Sequence, residues 1–247
     1  VVSVRLLGLD FADIDADQAA VLIAERPADA PFGYVVTPNA DHLVRLARKP
    51  ELTYLYQDAW LRLLDSRVVA RAARCLDLPT PRVAPGSDLT AVLLARYLNH
   101  ANSVTIIGVR PVWLRSLAQR YRLASIAHHD PPIGFEHDQA AFQHAIQFAL
   151  THPARFTLLA VGSPRQEMLA AAIAASGQAR GVGLCVGASL DFLAGATRRA
   201  PRWMQQAGLE WLHRLGSDPG RMARRYLQDD LAIFRLLLDE RRRIRAG

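Results

Sequence analysis

Asp65 stands directly after the apolar run Leu61–Leu64. A carboxylate at the end of a buried strand is partly withdrawn from water. That tunes its pKa toward the range where it can take or give a proton. The same position also suits a helix N-cap for the segment starting at Ser66, since Asp is a preferred capping residue. A second polar cluster, Thr37, Pro38, Asn39, Asp41 and His42, follows the apolar Tyr34–Val36. Its hydroxyl and amide can bind a ligand, and Asn or Asp after Pro is equally ordinary turn chemistry. A third, Gly162-Ser163-Pro164-Arg165-Gln166-Glu167, offers Gln166 for a neutral ligand group and Arg165 for a phosphate. No His-x-x-His or paired-carboxylate spacing accompanies His128 and His129, so no metal site is expected.

These clusters need elements to hold them. Short apolar runs at Val4–Gly8, Tyr34–Thr37, Leu61–Leu64, Val104–Gly108, Ala124–Ala127, Phe156–Val161 and Gly181–Val186 read as strands. Helical spacing fills Asp17–Arg26, Ala40–Arg48, Ser87–Leu98, Val112–Arg122, Gln139–Leu150 and Arg165–Ser176. The alternation predicts an α/β fold, a Rossmann-like, mainly parallel sheet with helices on both faces. In such sheets ligands bind beyond the carboxyl ends of the strands, where all three clusters fall. The small residues there let a backbone approach a ligand, and the helix N-termini that follow favour an anion.

After about residue 195 the pattern changes to helices alone. The expected division is an α/β core over 1–195, in one lobe or two, and a helical appendage over 196–247. In the last predicted helix, Leu227, Leu231, Phe234 and Leu238 form a stripe that Ile233 and Leu237 widen. The 247-residue chain carries a formal charge of +7, and residues 196–247 alone hold twelve Arg against six Asp plus Glu. A basic amphipathic end either packs on its own domain with a solvated face or lies on an anionic membrane. It can also promote self-association. No apolar run approaches the ~18 residues that span a bilayer. Nothing over Val1–Gly8 reads as a signal peptide, so a cytoplasmic location is expected. Cys75 and Cys185 form no metal spacing or disulfide framework. The chain shows no Walker sequence, no glycine fingerprint after the first strand and no nucleic-acid docking motif, which disfavours ATPases, dinucleotide enzymes and nucleic-acid partners.

Taken in order, TPNADH, the Asp after the next strand, GSDL, HHDPPIGF, GSPRQE, the run from VGASLDFLAG through RAPRW to GLEWLHRL, and RRYL resemble the WecG/TagA/CpsF glycosyltransferases of bacterial surface-polymer assembly. The likeness runs from about residue 5 to 230 and is most specific over Asp191–Leu215. It implies an inverting, metal-independent glycosyltransferase that needs no cofactor and uses a UDP-sugar donor. A hexose, an N-acetylhexosamine or its uronic acid would pass to a polyprenyl-diphosphate-linked sugar. The setting implied is exopolysaccharide or other cell-surface polymer synthesis, peripheral on the inner face of the plasma membrane.

By the same resemblance Asp65 is the general base. Thr37, Asn39 and Gln166 would hold the sugar, and Arg82, Asp88, Gly162 and Glu167 stand in the other substrate-binding turns. Arg198, Arg202, Arg221 and Arg224 would neutralise the diphosphate, from an appendage that docks on an anionic membrane and completes the site. The rival expectation is a non-catalytic nucleotide-sugar-binding or scaffold protein of an assembly complex. Three departures stand out: Asp65-Ser66 where the family has Asp-Gly, one extra residue between Arg82 and the Gly86-Ser87-Asp88 turn, and Val109-Arg110 where a second glycine is common.

Overall fold

The computed structural model describes residues 1–98, 102–196, 201, 204 and 231–246. The chain opens with a hairpin, β1 (Ser3–Leu6) and β2 (Leu9–Ala12), joined at Leu7-Gly8, both with positive φ. Two left-handed residues make the tight turn that matches strand twist. The expected first strand is therefore one arm of a hairpin outside the main sheet.

The main sheet has six strands: β3 (Gly33–Val36), β4 (Leu61–Arg62), β5 (Ser103–Gly108), β6 (Ser125–His129), β7 (Phe156–Ala160) and β8 (Val182–Cys185). They pair in the order β4-β3-β8-β7-β5-β6, and every pair is parallel. Their apolar residues alternate between two cores. Tyr34, Val36, Ile107 and Leu159 face one, and Val35, Ile106 and Leu158 face the other. A parallel sheet needs cover on both faces. α2 (Ala40–Arg48), α4 (Arg67–Cys75), α7 (Gln139–Thr151) and α8 (Arg165–Ala175) cover the first. α1 (Ala16–Glu25), α5 (Gly86–Val92), α6 (Pro111–Tyr121) and α9 (Ser189–Ala194) cover the second. α3 (Tyr54–Gln57) is a single turn before β4.

Local chemistry sets the helix starts. Asp15 caps α1 through a capping box with Gln18, and Asn39, Ser66 and Asp138 cap α2, α4 and α7. Pro111 occupies the first turn of α6, where its missing N–H costs nothing. α5 widens into a π turn over Leu93–Tyr97, closed by the Leu98 N–H on the Leu93 carbonyl at 2.9 Å. α4 starts where the sequence offers a helix at Ser66, and α9 follows the turn after β8.

The C-terminal helix, Leu231–Ala246, packs against α2 and α4. Ile233 and Leu237 are fully buried, whereas Phe234 and Leu238 are 43% and 42% exposed. Of the wide apolar stripe, the flank meets the protein and the middle faces outward. Burying two such side chains contributes about 3–6 kcal/mol to holding the helix in place. Arg241 adds a 3.2 Å contact to Asp77, just past α4.

Candidate active site

At the β4 edge of the sheet, three chain segments meet at their carboxyl ends. The Asp65 N–H donates to the Pro38 carbonyl at 3.0 Å, tying the segment after β4 to the Thr37-Pro38-Asn39 turn. Leu64 bridges Val83 in parallel, and the Ala84 N–H donates to the Leu64 carbonyl at 2.9 Å. This sets the Pro85-Gly86 turn beside them. A Cβ on Gly86 would lie 2.5 Å from Thr37 Oγ1, so only glycine lets the two turns touch. Thr37, Asn39, Asp65 and Asp88 are half-buried around this corner, and Arg67 reaches Asp88 at 3.8 Å.

The capping alternative for Asp65 resolves here. Ser66 Oγ accepts the Val69 N–H at 3.2 Å, so Ser66 caps α4. Ser66 sits at φ −146°, an extended backbone open to any residue, so serine in place of glycine leaves this turn unstrained. Asn39 Oδ1 accepts the His42 N–H at 3.3 Å and caps α2. Arg82 is exposed and lines a groove of about 360 Å³ beside α4 with Arg67, Arg71 and Arg74.

A buried polar network occupies the middle of the same sheet edge. Gln166 is 4% exposed. Its Oε1 accepts the Gly187 N–H at 2.9 Å, and its Nε2 donates to Glu167 at 2.8 Å. Arg45 donates to Ser163 Oγ at 2.7 Å and to Asp41 at 2.9 Å, and Tyr56 Oη lies 3.3 Å from Ser163 Oγ. Burial pushes the Glu167 carboxyl above its ordinary pKa, and bonds from Gln166 and Ser163 oppose that shift. Burial likewise raises the Tyr56 hydroxyl and the Cys185 thiol, each with a smaller push from Glu167. The network joins the turns after β7 and β8 to α2, the helix that begins at Asn39.

Beyond it lies a cleft of about 290 Å³ over the ends of β5, β6 and β7. α6 leads from β5 outward to β6, whereas α8 leads from β7 the other way to β8. The sheet therefore reverses direction between β5 and β7, the place where open parallel sheets hold ligands. A Cβ on Gly108 would lie 2.7 Å from the Ala160 carbonyl, so glycine is needed where these strands part. Arg110, Arg165, Asp130 and Asp191 supply the charge, and Trp113 lines the wall. Burial raises the Asp191 carboxyl, and the Arg110 guanidinium opposes the rise. Trp113 Nε1 and Glu136 Oε2 are buried without a hydrogen-bond partner among the described residues. Buried polar atoms are seldom left so. Arg165 Nε lies 3.9 Å from Glu136.

The model of the glycosyl transferase WecG/TagA/CpsF family matches residues 4–247. The chain belongs to that family. Members take a nucleotide-sugar donor and a lipid-linked acceptor. For this WecG/TagA/CpsF glycosyltransferase, the structure groups Thr37, Asn39, Asp65 and Asp88 at one corner and sets Gly162, Gln166 and Glu167 at mid-edge. The corner and the cleft share the carboxyl edge of one sheet but stand three to four strands apart. Arg198, Arg202, Arg221 and Arg224 lie outside the described residues. Sequence reasoning missed Arg110, Trp113, Asp130 and Asp191 as cleft residues, and Arg45 as the tie to Ser163. The signal available for Arg110 was local: a glycine-ended strand, then Arg, then Pro at a helix start. Among the described residues no three His, Cys, Asp or Glu side chains group as a metal site, and no helix is long and apolar enough to cross a membrane.

Proposed function

We propose that this glycosyltransferase uses a UDP-sugar donor and transfers a hexose, an N-acetylhexosamine or the uronic acid of the latter to a sugar on polyprenyl diphosphate. The observation that carries this reading is the shared sheet edge, with a half-buried carboxylate at one end and an arginine-bearing cleft at the other. The cleft takes the nucleoside diphosphate. The Trp113 ring lines the wall beside the base. Arg110, Arg165 and the N-terminus of α6 neutralise the diphosphate charge that grows as the sugar leaves. The donor then runs along the edge, past the Gly162–Glu167 turn that Gln166 shapes, toward Thr37 and Asn39.

Asp65 accepts the proton of the acceptor hydroxyl as its oxygen attacks the anomeric carbon on the face opposite the departing UDP. One C–O bond forms, another breaks, and the anomeric configuration inverts. A placed base of this kind typically supplies roughly 10²–10⁴-fold in rate. Arginines take the charge-neutralising role that a metal plays elsewhere, with Arg198, Arg202, Arg221 and Arg224 as a further supply from the basic segment. Arg67 opens the basic groove beside α4, where Arg71, Arg74 and Arg82 suit the acceptor's diphosphate. The exposed Phe234 and Leu238, with Arg235 and Arg242 beside them, suit an anionic membrane surface on the cytoplasmic side, where such acceptors lie.

The test is UDP release from a panel of UDP-sugars, with and without a short-chain prenyl-diphosphate-linked sugar. Acceptor-dependent release from one donor supports the transferase reading and names the sugar. Binding of a donor without release under any acceptor favours a non-catalytic nucleotide-sugar-binding role.

A further inference from the structure

The turn that carries Arg110 into the cleft has an unusual backbone. Gly108 sits at φ +95° and Val109 at φ +68°. Glycine accepts such angles freely, but a β-branched residue there is a steric outlier and persists only where its surroundings impose the conformation. Val109 is 8% exposed, so its side chain is packed inward. Packing alone does not orient the two peptide planes. One side chain from the next strand does. His128 stands on β6 opposite Ile106 of β5. Its Nε2 lies 3.1 Å from the Gly108 carbonyl oxygen and 2.8 Å from that of Val109. Carbonyl oxygens only accept, so Nε2 carries the proton and donates to both.

We propose that His128 is a positioning residue for donor binding: its shared Nε2–H holds the left-handed Gly108-Val109 turn, and so sets Arg110 over the cleft. This rests on the cleft being the nucleotide site. Arg110 is the first residue past the turn and lies close enough to Asp191 to oppose the burial shift of that carboxyl. It also immediately precedes Pro111, the first residue of α6. Rotating either of the two preceding peptides would swing both the guanidinium and the start of α6. His128 would act on the ligand through this turn.

The test is a double-mutant cycle read by UDP binding in a calorimeter on the full chain. His128→Ala is expected to weaken UDP binding about tenfold, a loss of roughly 1.4 kcal/mol. His128→Gln keeps an N–H at similar reach and should recover most of that. In the Val109→Gly background the left-handed turn needs no clamp, so His128→Ala should there cost threefold or less. A residue that merely stabilised the fold would give equal losses in both backgrounds. Equal losses, or a His128→Ala protein that binds UDP as tightly as wild type, would overturn the proposal. Wild type that binds neither UDP nor any UDP-sugar would instead sink the nucleotide reading of the cleft, and the clamp proposal with it.

Discussion

Gln166 Oε1 accepts the backbone N–H of Gly187 at 2.9 Å, bracing the turn after β7 against the turn after β8. Its other end is engaged too, with Nε2 on Glu167. A side chain held at both ends fixes the edge along which the donor is proposed to lie. Gln166→Ala should leave the Gly187 N–H unpaired and destabilise the protein by about 1–3 kcal/mol, read by urea unfolding. Transfer should fall by more than the loss of folded protein accounts for.

Asp65 and its neighbour Ser66 separate chemistry from stability. Asp65→Asn should reduce acceptor-dependent UDP release by roughly 10²–10⁴-fold, by more than any loss of folded protein accounts for. Ser66→Ala removes the α4 cap and should cost about 0.5–2 kcal/mol of stability. Its turnover, measured well below the melting point, should stay near wild type. Activity of Asp65→Asn within a few-fold of wild type would remove it as the base.

Glu167 makes stability depend on pH in an unusual direction. Burial lifts its folded pKa above the ordinary 4.5. The folded protein thus holds this proton more tightly than the unfolded chain does. Stability from this group is full below 4.5 and declines as pH rises toward the folded pKa, by about 1.4 kcal/mol per unit while the two differ. Glu167→Gln cannot ionise. The melting temperature of that variant minus wild type should therefore grow from pH 4 to pH 7. A difference that is flat, or that shrinks, would show the carboxylate is stabilised in place.

The C-terminal helix gives a paired surface test. Phe234→Asp with Leu238→Asp should abolish sedimentation with anionic vesicles and leave thermal stability almost unchanged, since both side chains are exposed. Ile233→Asp buries a charge and should detach or unfold the helix. Vesicle binding that survives the first pair would place the membrane contact elsewhere on the basic segment.

Local signals were read well where the chain itself makes the feature. Ala40–Arg48 is a helix with those bounds because Asn39 caps it and its apolar residues keep one face. The polar turns at Thr37 and Gly162 likewise follow β3 and β7 closely, whereas β4 ends at Arg62, three residues before Asp65, because beyond it Leu64 pairs with Val83 instead of continuing the sheet. The cleft is different. Arg110, Trp113, Asp130 and Asp191 come together only because β5 lies between β6 and β7, an order no local pattern encodes. The C-terminal helix shows the same limit. Ile233/Leu237 and Phe234/Leu238 are adjacent apolar rows, and contact with α2 and α4 decides which is buried. The start of α4 at Ser66 was legible, but its extent was masked by arginines on its outer face.

The separation between Asp65 and the cleft has a consequence for substrate choice. Neighbouring parallel strands stand about 4.8 Å apart, so three to four steps from β4 to β7 and β5 span roughly 14–19 Å. That interval belongs to the hydrogen-bonded backbone, and side-chain replacement does not change it. The sheet therefore works as a gauge. In the proposed pose, a donor anchored by its base would place its reactive carbon at a set reach, so molecules would be sorted by length before any hydroxyl is inspected. On the proposed reading, side chains around Thr37 and Asn39 would then set which sugar fits while the frame keeps its geometry.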